Sequence, residues 1–329
     1  MSDLERRYLR LLLAYPAEYR RLRGAEIVGT YLDLAGPDRR WPSPADAADL
    51  VRGGLRQRLR AAGAADLVPG VRLAAVLAFL TATALAAAWS VLELRPPAPE
   101  SGLPPLGPFN TIGMVAWAAW LAAGAAHALA PRRYARPILW AAVLATALVV
   151  PVSALAGLAR PPLLVLAPQL ALGVVALGMP ARLPLAARAA LLPGSALAAG
   201  LAASRIRDGY FFESYRGIEV GPLAGTVLLV VALVLALDRA RGRDFRGGWA
   251  LLVLATPIGL LFVRELAERA VGRNPDWAGV SGTAVAVAVA GPALLMCALA
   301  VRARTAPAQP RSACPTCGSS RGPTRSWGR

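Results

Sequence analysis

Between Leu73 and Val301 the chain is a succession of apolar blocks separated by short polar breaks. A block of about 18 apolar residues or more is long enough to cross a membrane, because about 20 helical residues at ~1.5 Å rise span a ~30 Å hydrocarbon core. Composition agrees: 56% of the 329 residues are hydrophobic and only 17% are charged. A soluble domain carries about a quarter charged residues. The expected fold class is therefore all-α, a polytopic transmembrane helical bundle of about eight spans with a small N-terminal helical cytosolic module.

The spans read as residues 73–94, 111–130, 138–158, 162–179, 183–203, 219–237, 247–264 and 281–301. The fifth is the weakest, since Arg188 and Pro193 interrupt it. Charge supports the count. With the N-terminus inside, the cytoplasmic flanks hold Arg132, Arg133, Arg136, Arg239, Arg241, Arg243 and Arg246. The outer flanks are poorer in Arg, as the positive-inside bias requires. Without the fifth span the Arg239–Arg246 cluster would fall outside. The organisation expected is 1–70 as a cytosolic three-helix module, 71–303 as the transmembrane domain, and 304–329 as a disordered, Arg-rich cytosolic tail. Both termini are expected in the cytoplasm and the protein in the inner membrane, with the lipid bilayer as its main partner.

The net charge of +17 invites a nucleic-acid reading. All 36 basic residues are Arg, and they lie mostly beside apolar blocks. Membrane orientation accounts for them, and no nucleic-acid partner is expected. Of the three cysteines, Cys297 falls inside the last span, while Cys314 and Cys317 form a C-x-x-C in the tail. This is the local form of half a zinc knuckle. A structural zinc takes four ligands, and no second pair follows. Cys314 and Cys317 are weak metal candidates, and no metal or cofactor is expected. The polar first 70 residues lack the apolar run of a signal peptide.

Within residues 1–70, Leu4, Tyr8, Leu11 and Leu12 recur at helical spacing. Pro16 suits the start of a second helix, which carries Tyr19, Leu22, Ile27, Tyr31 and Leu34. Ser43 is a good N-cap, with Pro44 and Asp46 in the first turn of a third helix. That helix holds Leu50, Val51, Leu55 and Leu59 beside Arg52, Arg56, Arg58 and Arg60. So small a core is marginal, and the module is expected to lean on the membrane surface or a partner. Tyr8, Leu12, Tyr15, Tyr19 and Ile27 are the expected docking face for a cytosolic protein bound by residues 1–40.

Ionisable groups inside the spans would mark a coupled transporter. Glu93, His127, Arg188 and Asp238 all lie near span ends and read as interface residues, while Gln169 offers a polar side chain within a span. Glu265 and Glu268 sit between Arg264 and Arg269, an ion-paired helix end. No nucleophile elbow, Walker loop or His-rich metal motif occurs. No catalytic residue is assigned. The outer segment 204–218, with Tyr210, Phe211, Phe212 and Tyr215, reads as an interfacial aromatic belt. The Pro-rich segment 95–110 reads as an extended connector.

The run Leu11-Leu12-Leu13-Ala14-Tyr15-Pro16-Ala17-Glu18-Tyr19-Arg20, with Gly24-Ala25-Glu26-Ile27, Trp41-Pro42-Ser43-Pro44 and Ala47–Arg56, carries a resemblance. It resembles the cytoplasmic prefix of uncharacterised multi-pass membrane proteins from actinobacteria, and loosely that found ahead of some permease domains. The resemblance covers the N-terminal module and implies location and architecture, without catalytic residues. The functional expectation is a non-enzymatic sensor or accessory component with a cytosolic interaction module. The alternative is a permease for a neutral or lipophilic substrate. An enzyme acting on lipids is third.

Overall fold

A computed structural model describes residues 2–36, 39–94, 104–129, 132–180, 183–207, 220–242, 244–272 and 275–305. The secondary structure it describes is helical, apart from one isolated bridge between Leu106 and Phe109. The chain divides into two compact units. Residues 66–297 form one; residues 1–65 form the other, together with residues after Cys297.

In the N-terminal unit, α1 (Asp3–Leu11) opens on a capping box between Ser2 and Glu5 and runs into a 3₁₀ turn, Leu12–Ala14. Pro16 caps α2 (Ala17–Asp33), where its missing N–H costs no hydrogen bond. The third helix, α3 (Pro44–Ala61), starts as its sequence dictates. Ser43 Oγ accepts from the Asp46 N–H at 3.0 Å, and Asp46 accepts back from the Ser43 N–H at 3.2 Å. Gly63 ends α3 with φ of 65°. That left-handed turn lets the Ala64 N–H reach the Leu59 carbonyl at 2.8 Å, and the Gly63 N–H reach Arg60 at 3.0 Å.

Leu4, Tyr8, Leu12, Tyr15, Val28 and Leu50 form the core of this unit. Each fully buried large apolar side chain contributes about 1.5–3 kcal/mol. Two contacts hold α3 against the 3₁₀ turn. A Cβ on Gly54 would lie 2.7 Å from the Ala14 backbone, so only glycine permits that approach. Arg58 donates from Nε to the Ala14 carbonyl and from Nη2 to that of Leu13, both at 2.6 Å. These are orphan carbonyls at a helix end, which a cation satisfies well.

The second unit is built around α4 (Leu67–Glu93), which touches α5 (Gly113–Leu129), α7 (Leu163–Ala176), α8 (Leu185–Arg207), α9 (Val220–Arg241) and α10 (Arg246–Leu261). Small residues permit this crowding: Ala74, Ala75, Ala78, Ala82, Ala86 and Ala88 of α4 are all buried. A Cβ on Gly70 would meet Trp249 at 2.5 Å, so α10 lies nearly backbone-to-backbone on the start of α4. α6 (Arg132–Ala156) flanks α5 and α7. α12 (Trp277–Thr305) approaches α10 where Gly291 meets Thr256.

Among the described residues, five helices are long and apolar enough to cross a membrane: α4, α6, α8, α9 and α12. A sixth arises if α10 and α11 (Val263–Val271), bent by 70° at Phe262, count as one span. α5 and α7 are apolar but shorter, at 17 and 14 residues. Several helices are hydrophobic on their outside. Leu148 and Leu155 of α6, Val230 and Val234 of α9, and Val285 and Val289 of α12 are exposed. Such an outward apolar surface is compatible with a membrane protein.

The segment after α10 continues as the nine-residue helix α11, which carries Arg264, Glu265, Glu268 and Arg269. One sequence expectation is corrected here. Residues 104–110, the described part of the expected extended connector, are tied down. The Ala159 N–H donates to the Pro104 carbonyl at 3.1 Å, and the Asn110 N–H to that of Glu93 at 3.3 Å.

Candidate functional site

The residues expected to face a docking partner form the module's own interior. Tyr8, Leu12 and Tyr15 are buried, and Tyr19 and Ile27 pack on them half-buried. The sequence pattern misled because the stripe is correctly apolar, but its partner is α3 of the same unit. Polar ends of the aromatic rings are satisfied from α3. Tyr8 Oη donates to Asp46 Oδ2 at 3.2 Å, and Tyr31 Oη to Asp49 Oδ2 at 2.6 Å. Burial and then these carboxylates push both phenols above the usual tyrosine range. The Ser43 hydrogen bonds hold the Asp46 carboxyl below its usual range, helped by Tyr8 and Arg39.

What this unit turns outward is different. Leu9, Leu13, Leu22 and Leu34 are exposed within the first 40 residues, and Val51 and Leu55 on α3. Arg7 stacks over the Trp41 ring at 3.0 Å, holding the loop before α3 against α1.

In the second unit the buried polar groups are mostly turned on the backbone. Thr83, Ser90 and Thr146 each donate to the carbonyl four residues earlier, at 2.8, 2.7 and 2.9 Å. Ser153 donates to Val150 at 2.8 Å. Thr146 also accepts from Trp120 Nε1 at 2.9 Å, joining α5 to α6. Such bonds satisfy hydroxyls at no cost in partners.

Glu93 differs from expectation. It was read as an interface residue, yet it is fully buried at the end of α4. Its Oε2 accepts from the Thr111 N–H at 2.7 Å, and its Oε1 accepts from the Thr111 hydroxyl. Asn110 Nδ2 donates to the Leu92 carbonyl at 2.9 Å beside it. Gln169 of α7 is also fully buried and donates from Nε2 to the Ala82 carbonyl at 3.0 Å. Its Oε1 and the Trp117 Nε1 are buried without a hydrogen-bond partner.

The other candidates fall near helix ends. His127 Nδ1 lies 2.8 Å from the Ala123 carbonyl, and its ring packs 4.7 Å from that of Phe79. Asp238 is exposed on the last turns of α9. Arg188 donates to the Ala128 carbonyl at 2.6 Å, so it binds the C-terminal end of α5. Sequence alone did not reveal that partner, 60 residues away. Arg264 and Glu268 pair at 3.2 Å as expected, whereas Glu265 Oε2 is buried without a partner. Cys297 lies exposed on α12.

Cys314 and Cys317, the aromatic segment Tyr210, Phe211, Phe212 and Tyr215, and Asn274 lie outside the described residues. Among the described residues no three His, Cys, Asp or Glu side chains gather as a metal site. No family model, curated protein or solved structure matches the chain.

Proposed function

We propose that this chain is a multi-pass protein of the inner membrane that crosses it eight times, with both termini in the cytoplasm. In this reading it is a non-enzymatic sensor or accessory component, and residues 1–40 of its helical module engage a cytosolic protein. The carrying observation is the module itself. It has its own core and its own polar interlocks, and it leaves Leu9, Leu13, Leu22 and Leu34 on its surface. A self-contained unit with exposed apolar residues is the form of an interaction module.

Eight crossings are supported by the correspondence of eight apolar helical segments with the eight blocks of the sequence, α10 and α11 together making one. α7 is the hardest to accommodate, since its 14 residues reach only about 21 Å. Much of it is enclosed by protein, with Val165, Leu166, Leu172 and Ala176 buried, so lipid need not match its length. Reporter fusions after Arg60, Arg136 and Arg311 should read cytoplasm, and those at Pro105, Tyr210 and Asn274 the outer side. A cytoplasmic signal at Tyr210 overturns the eight-crossing topology. For the interaction role, photo-cross-linkers at Leu22 and Leu34 should capture a cytosolic protein in cells. No capture, and no phenotype on deleting residues 1–40, overturns that role.

A second reading, a permease for a neutral or lipophilic substrate, draws on one observation. Gln169 Oε1 and Trp117 Nε1 are an acceptor and a donor left unpaired inside the bundle. Buried polar groups without partners are costly and need a reason. Uptake of a neutral solute abolished by both Gln169→Leu and Trp117→Phe, with normal insertion, would favour this reading.

A further inference from the structure

The outward face of α3 combines two stripes. Val51, Leu55 and Leu59 follow one another at helical i, i+4 spacing, as do Arg52, Arg56 and Arg60 one position on. The opposite face, with Leu50 and Gly54, is the one buried in the unit's core. Val51 is 38% exposed and Leu55 54% exposed. Leu59 is half-buried, and the three arginines are exposed. Asp49, the acid nearest this face along the helix, is held by the Tyr31 hydroxyl. An apolar stripe edged by arginines on a surface helix has the pattern of helices that lie in an anionic lipid interface.

We infer that the Val51–Leu55–Leu59 stripe and its flanking Arg52, Arg56 and Arg60 bind the anionic lipid surface of the leaflet through which α4 enters the membrane. This rests on the reading of residues 66–297 as membrane-embedded, and it makes the module a lipid-contacting unit. Two features select lipid as the occupant. The charge is of one sign and lies in a row parallel to the apolar stripe, which suits a plane of phosphates better than a compact acidic site. Along the chain, only residues 62–66 separate α3 from α4, at most about 18 Å of extended backbone. A membrane entered by α4 is therefore always within reach of α3, and ordering the contact costs little entropy.

Cations of this kind add attraction additively and weaken with ionic strength, because the surface potential decays within a Debye length. The apolar stripe contributes a salt-independent part by entering the headgroup region. Since these side chains lie on the face opposite the unit's core, lipid contact needs no unfolding of the unit.

The experiment places an environment-sensitive dye at Leu55→Cys or, as a control, at Leu22→Cys, in the full chain with its native cysteines replaced. Leu22 is 83% exposed and lies on α2. The protein is reconstituted in vesicles of phosphatidylcholine alone or with phosphatidylglycerol. With phosphatidylglycerol the dye at position 55 should shift to the blue and lose its quenching by aqueous iodide. High salt, or Arg52→Gln with Arg56→Gln and Arg60→Gln, should reverse both changes, while the dye at position 22 stays aqueous. Three outcomes overturn the proposal. They are an aqueous signal at position 55 in both vesicles, a blue shift indifferent to lipid charge, or a blue shift that follows protein density and so marks a second copy. The vesicle readout holds whichever side of the cell the module occupies. A fusion after Arg60 that reports the outer side would overturn the topology and leave the lipid contact standing.

Discussion

Thr111 donates its backbone N–H to the buried carboxylate of Glu93 across 2.7 Å, and its hydroxyl to the other oxygen of the same group. The end of α4 is thus fastened to the start of α5 by one side chain that water does not reach. The Thr111 hydroxyl in turn accepts from the Gly113 N–H at 3.0 Å. The carboxylate therefore orients the first turn of α5 through a chain of two bonds.

Replacing Glu93 by Leu should leave two buried donors without an acceptor. Each orphaned group costs about 1–3 kcal/mol, so a loss of roughly 2–6 kcal/mol is expected. Glu93→Gln retains an acceptor oxygen and should lose less. Thermal unfolding of the purified chain in detergent, followed by size-exclusion chromatography, gives the ranking. Equal melting for Leu and Gln would mean that the Thr111 bonds contribute nothing.

Two glycine-to-alanine changes should have opposite signs. Gly54→Ala forces a methyl to within 2.7 Å of the Ala14 backbone and should destabilise the N-terminal unit by about 1–3 kcal/mol. Gly29→Ala meets nothing within 4 Å inside α2 and should stabilise by about 0.5–1 kcal/mol through helix propensity. Resistance of the unit to pulse proteolysis in the full chain orders the two against the parent. A Gly54→Ala protein as resistant as the parent would show that the 3₁₀ turn and α3 need not touch.

The N-terminal unit should be most stable near neutral pH and weaken on both sides. Tyr8 and Tyr31 titrate higher in the folded unit than in the unfolded chain. Their contribution is complete below about pH 10 and is lost above it, where the unfolded chain releases its protons first. Asp46 titrates lower when folded. Its contribution is present above about pH 4 and is lost as pH falls through the folded value. Resistance of the unit to pulse proteolysis in the full chain, measured across pH, reads both limbs. Tyr31→Phe should reduce the alkaline limb and leave the acid limb alone; an unchanged alkaline limb would contradict the assignment to Tyr31.

Arg188 should behave as a helix-end ligand. Arg188→Lys keeps a cation able to reach the Ala128 carbonyl and should be close to neutral. Arg188→Leu should cost about 0.5–1.5 kcal/mol for one bond, and Arg188→Glu more, since an anion opposes the negative helix end. Melting temperatures in detergent test the order. If Arg188→Glu melts with the parent, the bond to Ala128 has no energetic weight.

The helices of the N-terminal unit were legible because their signals are local. Ser43, Pro44 and Asp46 specify a helix start within four consecutive positions, and Pro16 marks another. The inward and outward residues were not separable in sequence. Leu50 and Val51 are adjacent and equally apolar, but only the approach of the 3₁₀ turn at Gly53 and Gly54 decides that Leu50 goes inside. The burial of Glu93 was hidden for a related reason. Its partner Thr111 comes 18 residues later, beyond a polar connector whose path no local pattern encodes. The 70° bend at Phe262 was equally hidden, since Pro257, the proline nearest before it, lies more than a turn earlier inside α10.

The enclosure of α4 bears on the order of assembly. α4 is the helix nearest the N-terminus in its unit, yet α10, which packs along it, begins 153 residues after α4 ends (246 − 93). At about 5–20 residues per second, a ribosome takes on the order of 10–30 s to make that stretch. On the proposed membrane reading, α4 waits in lipid over that interval with its alanine-lined face uncovered. Thr83 and Ser90 can wait cheaply, because each hydroxyl is bonded to its own helix. Glu93 cannot, and its partner is among the next residues to emerge. The chain thus quenches its most awkward side chain early and leaves only apolar surface to be covered late.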